Sequence, residues 1–299
     1  MSIRAGVVVT NFRGRLGNQM FQHACGRALA EQQGVPLRVA LDVISAPLID
    51  GQPELYRVFK PDSKPAVPSE LAYCIGVWRI PGWMRCVLAQ PAFARFRGPR
   101  FHTESLARAR PNSAGPFRAY LHGYWQSERF FFEHAAAVRR DFAFPTAPTG
   151  RNAELAQWIV QGPAASLHVR RGDYATDART QAFHGLCGVN YYVAAVQRLR
   201  QLEPSLRILA FSDDPAWAAE ALHPVIQQMT IVTHNTGTQS FEDMRLMSLC
   251  RHHVIANSSF SWWAAWLNPQ PDKIVIAPRR WFADGRDDAD LVPSSWQRL

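Results

Sequence analysis

Two adjacent arginines at the end of a predicted strand are the residues of this sequence best suited to binding an anion. The run AASLHVRRGDY (164–174) begins as a short apolar segment, which predicts a buried strand, and ends in polar residues. Those polar residues are His168, Arg170, Arg171 and Asp173. Arginine presents a planar fork of N–H donors that matches a phosphate or a carboxylate. The same residues could instead form a solvated turn in which the arginines are solvated or pair with Asp173. Residues elsewhere in the chain are needed to distinguish an anion site from such a turn.

Polar residues also follow two later predicted strands, namely Asp213-Asp214 after 207–212 and Asn257-Ser258-Ser259 after 252–256. The carboxyl ends of parallel strands meet at one edge of a sheet, where open α/β proteins bind ligands. Ser259 also stands where a helix begins, and the free N–H groups there favour an anion. Together these residues predict a site for a nucleoside diphosphate. One of the two aspartates would hold the ribose or base, or would simply cap the next helix.

The elements that must position these residues alternate between strands and helices. Apolar strand patterns at 164–170, 207–212, 231–234, 252–256 and 273–278 are separated by helical patterns, which predicts a parallel, doubly wound sheet. The N-terminal half begins with a strand, the glycine-rich loop GRLGN (14–18) and a helix. That loop lacks the spacing of a dinucleotide or phosphate loop. The small-residue, proline-rich run PTAPTG (145–150) is typical of a hinge, so we predict two domains, 1–148 and 149–299.

The region 45–116 is the least regular part of the sequence, since proline, aromatic residues and arginine alternate there without a clear period. Irregular structure packed by its aromatic side chains is the favoured interpretation. A mobile surface that faces the acceptor, or a membrane-proximal surface, is the alternative. After it, Ser127 is placed to cap a helix predicted over 128–140.

Composition narrows the class of ligand and the compartment. The chain has 299 residues and a net charge of +9, which suits an anionic ligand, but it contains no run of five like charges, which disfavours a nucleic-acid binder. The five cysteines form no CxxC pair, so neither a disulfide framework nor a zinc site is expected. The sequence has no signal peptide pattern and no long apolar segment, which predicts a cytoplasmic protein. Peripheral association with an inner membrane is left open.

No metal site is predicted. Asp288-Ala289-Asp290 has the Asp-x-Asp pattern of metal-dependent sugar transfer, but it lies in a polar tail and not at the end of a strand. Trp262, Trp263 and Trp266 lie on about one helix face and are expected in the core, not as a platform for a sugar.

Six motifs in order resemble one enzyme family. They are GRLGNQMFQHA (14–24), GYWQSERFF (123–131), HVRRGDY (168–174), FSDD (211–214), the run 241–267 with NSSFSWW, and VIAPRRWF (275–282). The set is similar to the bacterial-type α-1,2-fucosyltransferases, which share HxRRxD with other fucosyltransferases. The resemblance implies an α/β fold of the GT-B type, with two Rossmann-like domains facing across a cleft. It also implies GDP-fucose as donor, inversion at the anomeric carbon and no metal or other cofactor.

Carried over by motif, the resemblance assigns roles to individual residues. The catalytic candidates are Arg170, which would bind the diphosphate, Asp173, which would be a general base or would hold the arginines, and Asn18. The donor-binding candidates are Arg15, Gly17, His168, Arg170, Arg171, Asp213, Asp214, Asn257, Ser258, Ser259 and Phe260. Arg15 and His23 depart from the residues that the family often has, glycine and tyrosine, while Gly17, Asn18 and Gln19 are intact.

The sequence therefore predicts inverting, metal-independent transfer of L-fucose from GDP-fucose to the 2-hydroxyl of a terminal galactose. The N-terminal domain would hold the acceptor, an oligosaccharide or a lipid-linked glycan, and the C-terminal domain would hold the donor. The alternatives are a fucosyltransferase of another linkage, such as α-1,6, and an inactive relative that binds a glycan or nucleotide. A nucleic-acid binder is the poorest fit.

Overall fold

The computed structural model describes residues 6–41, 48–49, 51–76, 82–104 and 116–299. It divides into two compact units, Met1–Pro145 and Thr146–Leu299. The division lies three residues before the boundary expected from PTAPTG. Parts of the region 45–116, namely 45–47, 50, 77–81 and 105–115, lie outside the described residues.

The N-terminal unit is built on a parallel sheet with the order β5-β2-β1-β7-β6. Its strands are β1 (Val7–Phe12), β2 (Leu37–Leu41), β5 (Lys64–Pro65), β6 (Phe101–His102) and β7 (Arg118–Leu121), and a separate hairpin pairs β3 (Leu48–Ile49) with β4 (Gln52–Pro53). The helices are α1 (Leu16–Gln33), α2 (Glu54–Val58), α3 (Pro68–Ile75), α4 (Gly82–Ala89) and α5 (Ala135–Asp141). The central strand β1 is entirely buried because its VVV run lies between layers of side chains.

Helix α1 packs closely on this sheet because it carries a glycine at the contact. A Cβ on Gly26 would lie 2.8 Å from Leu37 Cδ1 and 3.2 Å from Thr10 Cβ, so neighbouring side chains would have to shift to admit it. The buried face of α1 therefore lies directly over β1 and β2. This packing fixes the position of the loop that joins β1 to α1.

The C-terminal unit contains a second parallel sheet, with the order β10-β9-β8-β11-β12-β13. Its strands are β8 (Ala164–Val169), β9 (Arg207–Ser212), β10 (Met229–Val232), β11 (His252–Val254), β12 (Val275–Ala277) and β13 (Gln297–Arg298). Its helices are α6 (Gly150–Val160), α7 (Gly172–Thr176), α8 (Ala178–His184), α9 (Val189–Leu202), α10 (Pro215–Leu222), α11 (Phe241–Leu249) and α12 (Ser259–Leu267). Buried residues of β8, β9 and α9 form much of the core.

The α/β class and the alternation of strands and helices are confirmed, and Trp262, Trp263 and Trp266 are buried as predicted. The helix expected over 128–140 is wrong in its first half. The chain forms 3-10 turns at Glu128–Phe130 and Phe132–His134 before α5 begins. Ser127 does cap the first turn, accepting from Arg129 N at 3.4 Å. Among the described residues, no helix has the length and apolar character needed to cross a membrane.

Candidate functional site

Arg170, which follows β8 directly, is held between two carboxylates. Its Nη2 lies 2.5 Å from Asp173 Oδ1, and its Nη1 lies 2.7 Å from Asp213 Oδ2. Its guanidinium also lies 5.1 Å from the centre of the Tyr174 ring. The side chain is about one-fifth exposed, so it is fixed in direction and still reachable by a ligand. The sequence predicted the arginine and Asp173, and the structure adds Asp213 as the second partner.

The turn between β9 and α10, which contains Asp213 and Asp214, also holds Arg171. Its backbone N–H donates to Asp213 Oδ1 at 2.8 Å, and its Nε lies 3.3 Å from Asp214 Oδ2. Its guanidinium lies 4.1 Å from the Trp217 ring centre. Asp214 also caps α10, accepting from Trp217 N at 3.1 Å. Of the two roles predicted for these aspartates, Asp214 has the capping role, while Asp213 positions the arginine loop.

Gly172 allows the arginine loop to come this close to Asp213. A Cβ at this position would lie 2.5 Å from Asp213 Oδ2, the atom that pairs with Arg170. Contacts under about 3 Å do not occur between real Cβ atoms and their neighbours, so a larger residue would push the carboxylate away. The glycine of HVRRGD is therefore explained by close approach and not by backbone conformation.

His168 is buried at the end of β8, and burial lowers the pKa of its imidazole to about 3, with the nearby Arg170 charge as a second cause. It is therefore neutral at physiological pH. Its Nδ1 is buried and has no partner among the described residues, and its ring centre lies 5.7 Å from that of Phe260. Because Phe260 is in the first turn of α12, this contact joins the end of β8 to the start of that helix.

The start of α12 lies near the end of β8 and forms the second part of the polar edge of the C-terminal sheet. Asn257 is buried, and its amide donates to His184 O at 2.7 Å and to Trp281 O at 3.2 Å, so this side chain holds neighbouring loops together. The Ser258 hydroxyl does not cap the helix, and Ser259 and Phe260 are partly exposed. The first N–H groups of an α-helix have no intrahelical acceptor, which makes this end suitable for an anion.

A polar group beyond β10 was missed by the sequence analysis. Asn235 Nδ2 donates to Asp243 Oδ1 at 2.8 Å and to Asn152 Oδ1 at 3.0 Å, and His234 Nε2 lies 2.7 Å from the same Asn152 oxygen. Burial raises the pKa of Asp243 to about 7, while the Asn235 hydrogen bond lowers it and the Glu242 charge raises it. The sequence contains both Asn235 and the FED run (241–243), but nothing in their spacing indicates that Asn235 and Asp243 form a hydrogen bond.

In the N-terminal unit, Asn18 is held by a residue of another motif. Gln126 Nε2 donates to Asn18 Oδ1 at 2.7 Å, which links GRLGNQ to GYWQSE across 108 positions. Trp125, just before Gln126, is buried and has a φ of 56°, a left-handed conformation that is costly for a bulky residue. This unusual conformation comes directly before the residue that bonds Asn18.

Helix α1, which begins within the GRLGNQ motif, is capped by the carboxylate of Glu54. Leu16 N donates to Glu54 Oε2 at 3.0 Å, and in return Gln19 Oε1 accepts from Leu55 N at 3.0 Å. Gln19 also donates to Gly14 O at 2.9 Å. Glu54, which the sequence analysis left unassigned, thus occupies the end of α1 that an anion would otherwise take. Arg15 is exposed, and Gly17 is buried in the first turn of α1.

Within the described residues, no group of three or more His, Cys, Asp or Glu side chains has the geometry to hold a metal. Asp288, the first carboxylate of the Asp-x-Asp pattern, accepts from Trp281 N at 2.6 Å and from Arg298 Nη1 at 2.7 Å. It therefore joins the C-terminal strand to the loop after β12.

The comparisons with known proteins agree with the motif pattern. The profile of glycosyl transferase family 11 matches residues 96–297. An α-1,2-colitosyltransferase of Escherichia coli is 31% identical over 297 residues, covering 98% of this chain and 99% of the relative. The bovine galactoside 2-α-L-fucosyltransferase SEC1 is 23% identical over 88% of this chain and 65% of its own length.

Among solved structures, NodZ, a fucosyltransferase from Bradyrhizobium that was co-crystallised with GDP, superposes with a TM-score of 0.58. The match is 15% identical and covers 89% of this chain and 93% of NodZ, so it supports the fold alone. Together with the two parallel sheets, it confirms the expected GT-B class. The resemblance seen in the motifs is likewise confirmed, and the chain belongs to glycosyl transferase family 11.

Proposed function

We propose that the chain transfers L-fucose from GDP-fucose to the 2-hydroxyl of a terminal galactose, with inversion and without a metal. The observation that carries the proposal is the edge of the C-terminal sheet, where Arg170 is fixed at the end of β8 and the uncapped start of α12 lies beside the same strand through the His168–Phe260 contact. An arginine fork and a helix N-terminus are both suited to a diphosphate.

The chemistry follows from the charge that develops on the leaving group. As the bond between the fucose C1 and the GDP oxygen breaks, the sugar becomes oxocarbenium-like and the diphosphate gains negative charge. A prepositioned Arg170, supported by the N–H groups at Ser259 and Phe260, would stabilise that charge. Asp213 keeps the guanidinium in place through a 2.7 Å contact, so little reorganisation is needed when the donor binds.

Inversion requires that the acceptor hydroxyl attacks C1 directly and that a base takes its proton. Asp173 was the nearest candidate in sequence. Its side chain is half exposed and its Oδ1 lies 2.5 Å from Arg170 Nη2, a contact that favours a role in positioning the arginine. We therefore propose Asp173 as a positioning residue when the donor is absent. Asn18, held by Gln126, is proposed to act on the acceptor side.

The donor sugar has a second candidate. The α-1,2-colitosyltransferase aligns over almost the whole chain. Colitose is L-fucose without its 3-hydroxyl, so a diphosphate site of this kind and the same α-1,2 chemistry suit both donors. A preference for colitose would require that the pocket around C3 discriminates against a hydroxyl.

GDP release from GDP-fucose in excess EDTA, with and without lactose, tests the proposal. We expect release that lactose stimulates, an α-1,2 linkage in the product by NMR, and none of this in Arg170→Ala. A parallel reaction with GDP-colitose decides the donor. Activity that is lost in EDTA and restored by Mn²⁺ would refute metal independence. Binding of GDP by calorimetry with no turnover on any galactoside would instead favour an inactive relative or another acceptor.

A further inference from the structure

The excess positive charge of this protein is concentrated in one region of the N-terminal unit. Residues 71–124 contain eight arginines, no lysine and a single acidic residue, Glu104, so this segment carries +7 of the net charge of +9. The charge is spread among aromatic and proline residues and forms no continuous run. A region with this balance attracts a negatively charged surface.

The best-defined feature of this region is an exposed turn, Pro91–Phe96, with the sequence PAFARF, which we call the aromatic turn. All six of its residues are exposed, Phe96 by 51% and Phe93 by 37%, and the two rings lie 6.2 Å apart. The Arg95 guanidinium lies 4.8 Å from the centre of the Phe96 ring. Trp83, on the preceding helix α4, is 56% exposed. Within the aromatic turn, the Phe93 and Phe96 rings and the Arg95 cation thus reach the same surface.

The aromatic turn is rigidly built, so its exposure is a feature of the fold. Arg97, just after it, donates to the carbonyls of Leu88, Ala89 and Gln90 at 2.8, 2.5 and 2.9 Å and to Thr103 Oγ1 at 3.0 Å. These bonds tie the turn to the end of α4. Their acceptors are neutral, so they leave the arginine charge uncompensated.

We propose that the aromatic turn docks the protein onto a membrane surface that carries anionic lipids. The Phe93 and Phe96 rings suit the boundary between headgroups and acyl chains, and Arg95 suits the lipid phosphates next to it. The remaining arginines of 71–124 add the long-range attraction to a negative leaflet. This inference goes beyond the proposed transfer reaction and does not depend on which donor or acceptor is correct.

Vesicle flotation of the full chain tests this surface. We expect binding to vesicles of phosphatidylcholine with phosphatidylglycerol, weak binding to phosphatidylcholine alone, and release as salt is raised. Arg95→Glu should weaken binding about 20-fold, at roughly fivefold for each unit of charge. Arg198→Glu makes the same charge change on α9 of the other unit and should have less effect.

Phe96→Ser should weaken vesicle binding by about threefold or more, because it removes apolar area from the interface. Phe132→Ser is the matched control, since Phe132 is 65% exposed elsewhere in the same unit. All four variants should keep wild-type transfer to soluble lactose, which separates this proposal from the proposed function. Equal losses in variant and control, no vesicle binding, or binding to a single-stranded oligonucleotide in place of vesicles would overturn it.

Discussion

The two sheets each lead from a strand into a polar loop and a helix, but the two loops are held by different kinds of bond. Around Asn18 and Gln19 the partners are amides and backbone groups, together with the Glu54 carboxylate on Leu16 N. Around Arg170 and Arg171 they are ion pairs to three aspartates. Amide and backbone hydrogen bonds with one carboxylate hold the first loop, and ion pairs between opposite charges hold the second.

The difference extends to one helix beside each loop. These are α1, which follows the first loop, and α12, which meets the end of β8 through the His168–Phe260 contact. The start of α1 already carries a carboxylate, Glu54, whereas the start of α12 has no side-chain cap from Ser258. A helix N-terminus favours one anion, and a bound carboxylate satisfies that preference. The comparison therefore favours the C-terminal unit for the diphosphate, although both units have a glycine-containing motif at the loop.

Removing Arg170 should have the largest effect. We expect Arg170→Ala to lower kcat/KM about 10³-fold, because in the proposed reaction the charge that develops on the diphosphate would lose its main partner. Arg170→Lys should recover only part of this loss, since an ammonium cannot contact two groups in a planar fork. Steady-state rates measure the effect, and thermal unfolding checks the fold. Near-normal turnover in Arg170→Ala would remove this residue from the mechanism.

Gly172→Ala should have the next largest effect, a loss of about tenfold or more in kcat/KM. The added Cβ displaces the Asp213 carboxylate from Arg170, and misplaced groups lower rates steeply. Gly188→Ala is the control, because a Cβ there meets nothing within 4 Å. If the two variants have the same activity, close approach to Asp213 does not explain this glycine.

Gln126→Ala tests the loop around Asn18 and should lower kcat about tenfold, with a cost to the free energy of unfolding of about 1 kcal/mol. The cause is loss of the hydrogen bond to Asn18 Oδ1. Adding Asn18→Ala should cost little more, and a double-mutant cycle measures this coupling. Gln197→Ala, at an exposed position of α9, is the control. Additive effects of the two changes would contradict the link between the motifs.

The smallest effect on activity is expected at Asp243, whose contribution concerns stability. Its pKa is raised from 3.8 to about 7, so between these pH values the folded state binds more protons than the unfolded state. The free energy of unfolding should therefore fall as pH rises through this window, by on the order of 4 kcal/mol. Asp243→Asn should flatten the curve in denaturant titrations. An unchanged pH dependence would show that another group titrates.

Several features could be predicted from local patterns. The buried strands are nearly continuous apolar runs, as in VVV of β1 and ILAF of β9, because parallel strands are covered on both faces. The start of α12 was expected from NSSFSWW, and the burial of its tryptophans from their spacing. The first half of 128–140 was misjudged, since the chain forms 3-10 turns at Glu128–Phe130 and Phe132–His134 where a helix was predicted.

The sequence by itself determined the class of fold and the residue types at the two loops, because periodicity and motifs are local properties. Only the tertiary structure decided which partners those residues have. Asp213 reaches Arg170 because β9 lies beside β8, and Gln126 reaches Asn18 because β7 lies beside β1. Such pairs join distant positions in the chain, and the packing of the sheets, not the spacing of residues, brings them together.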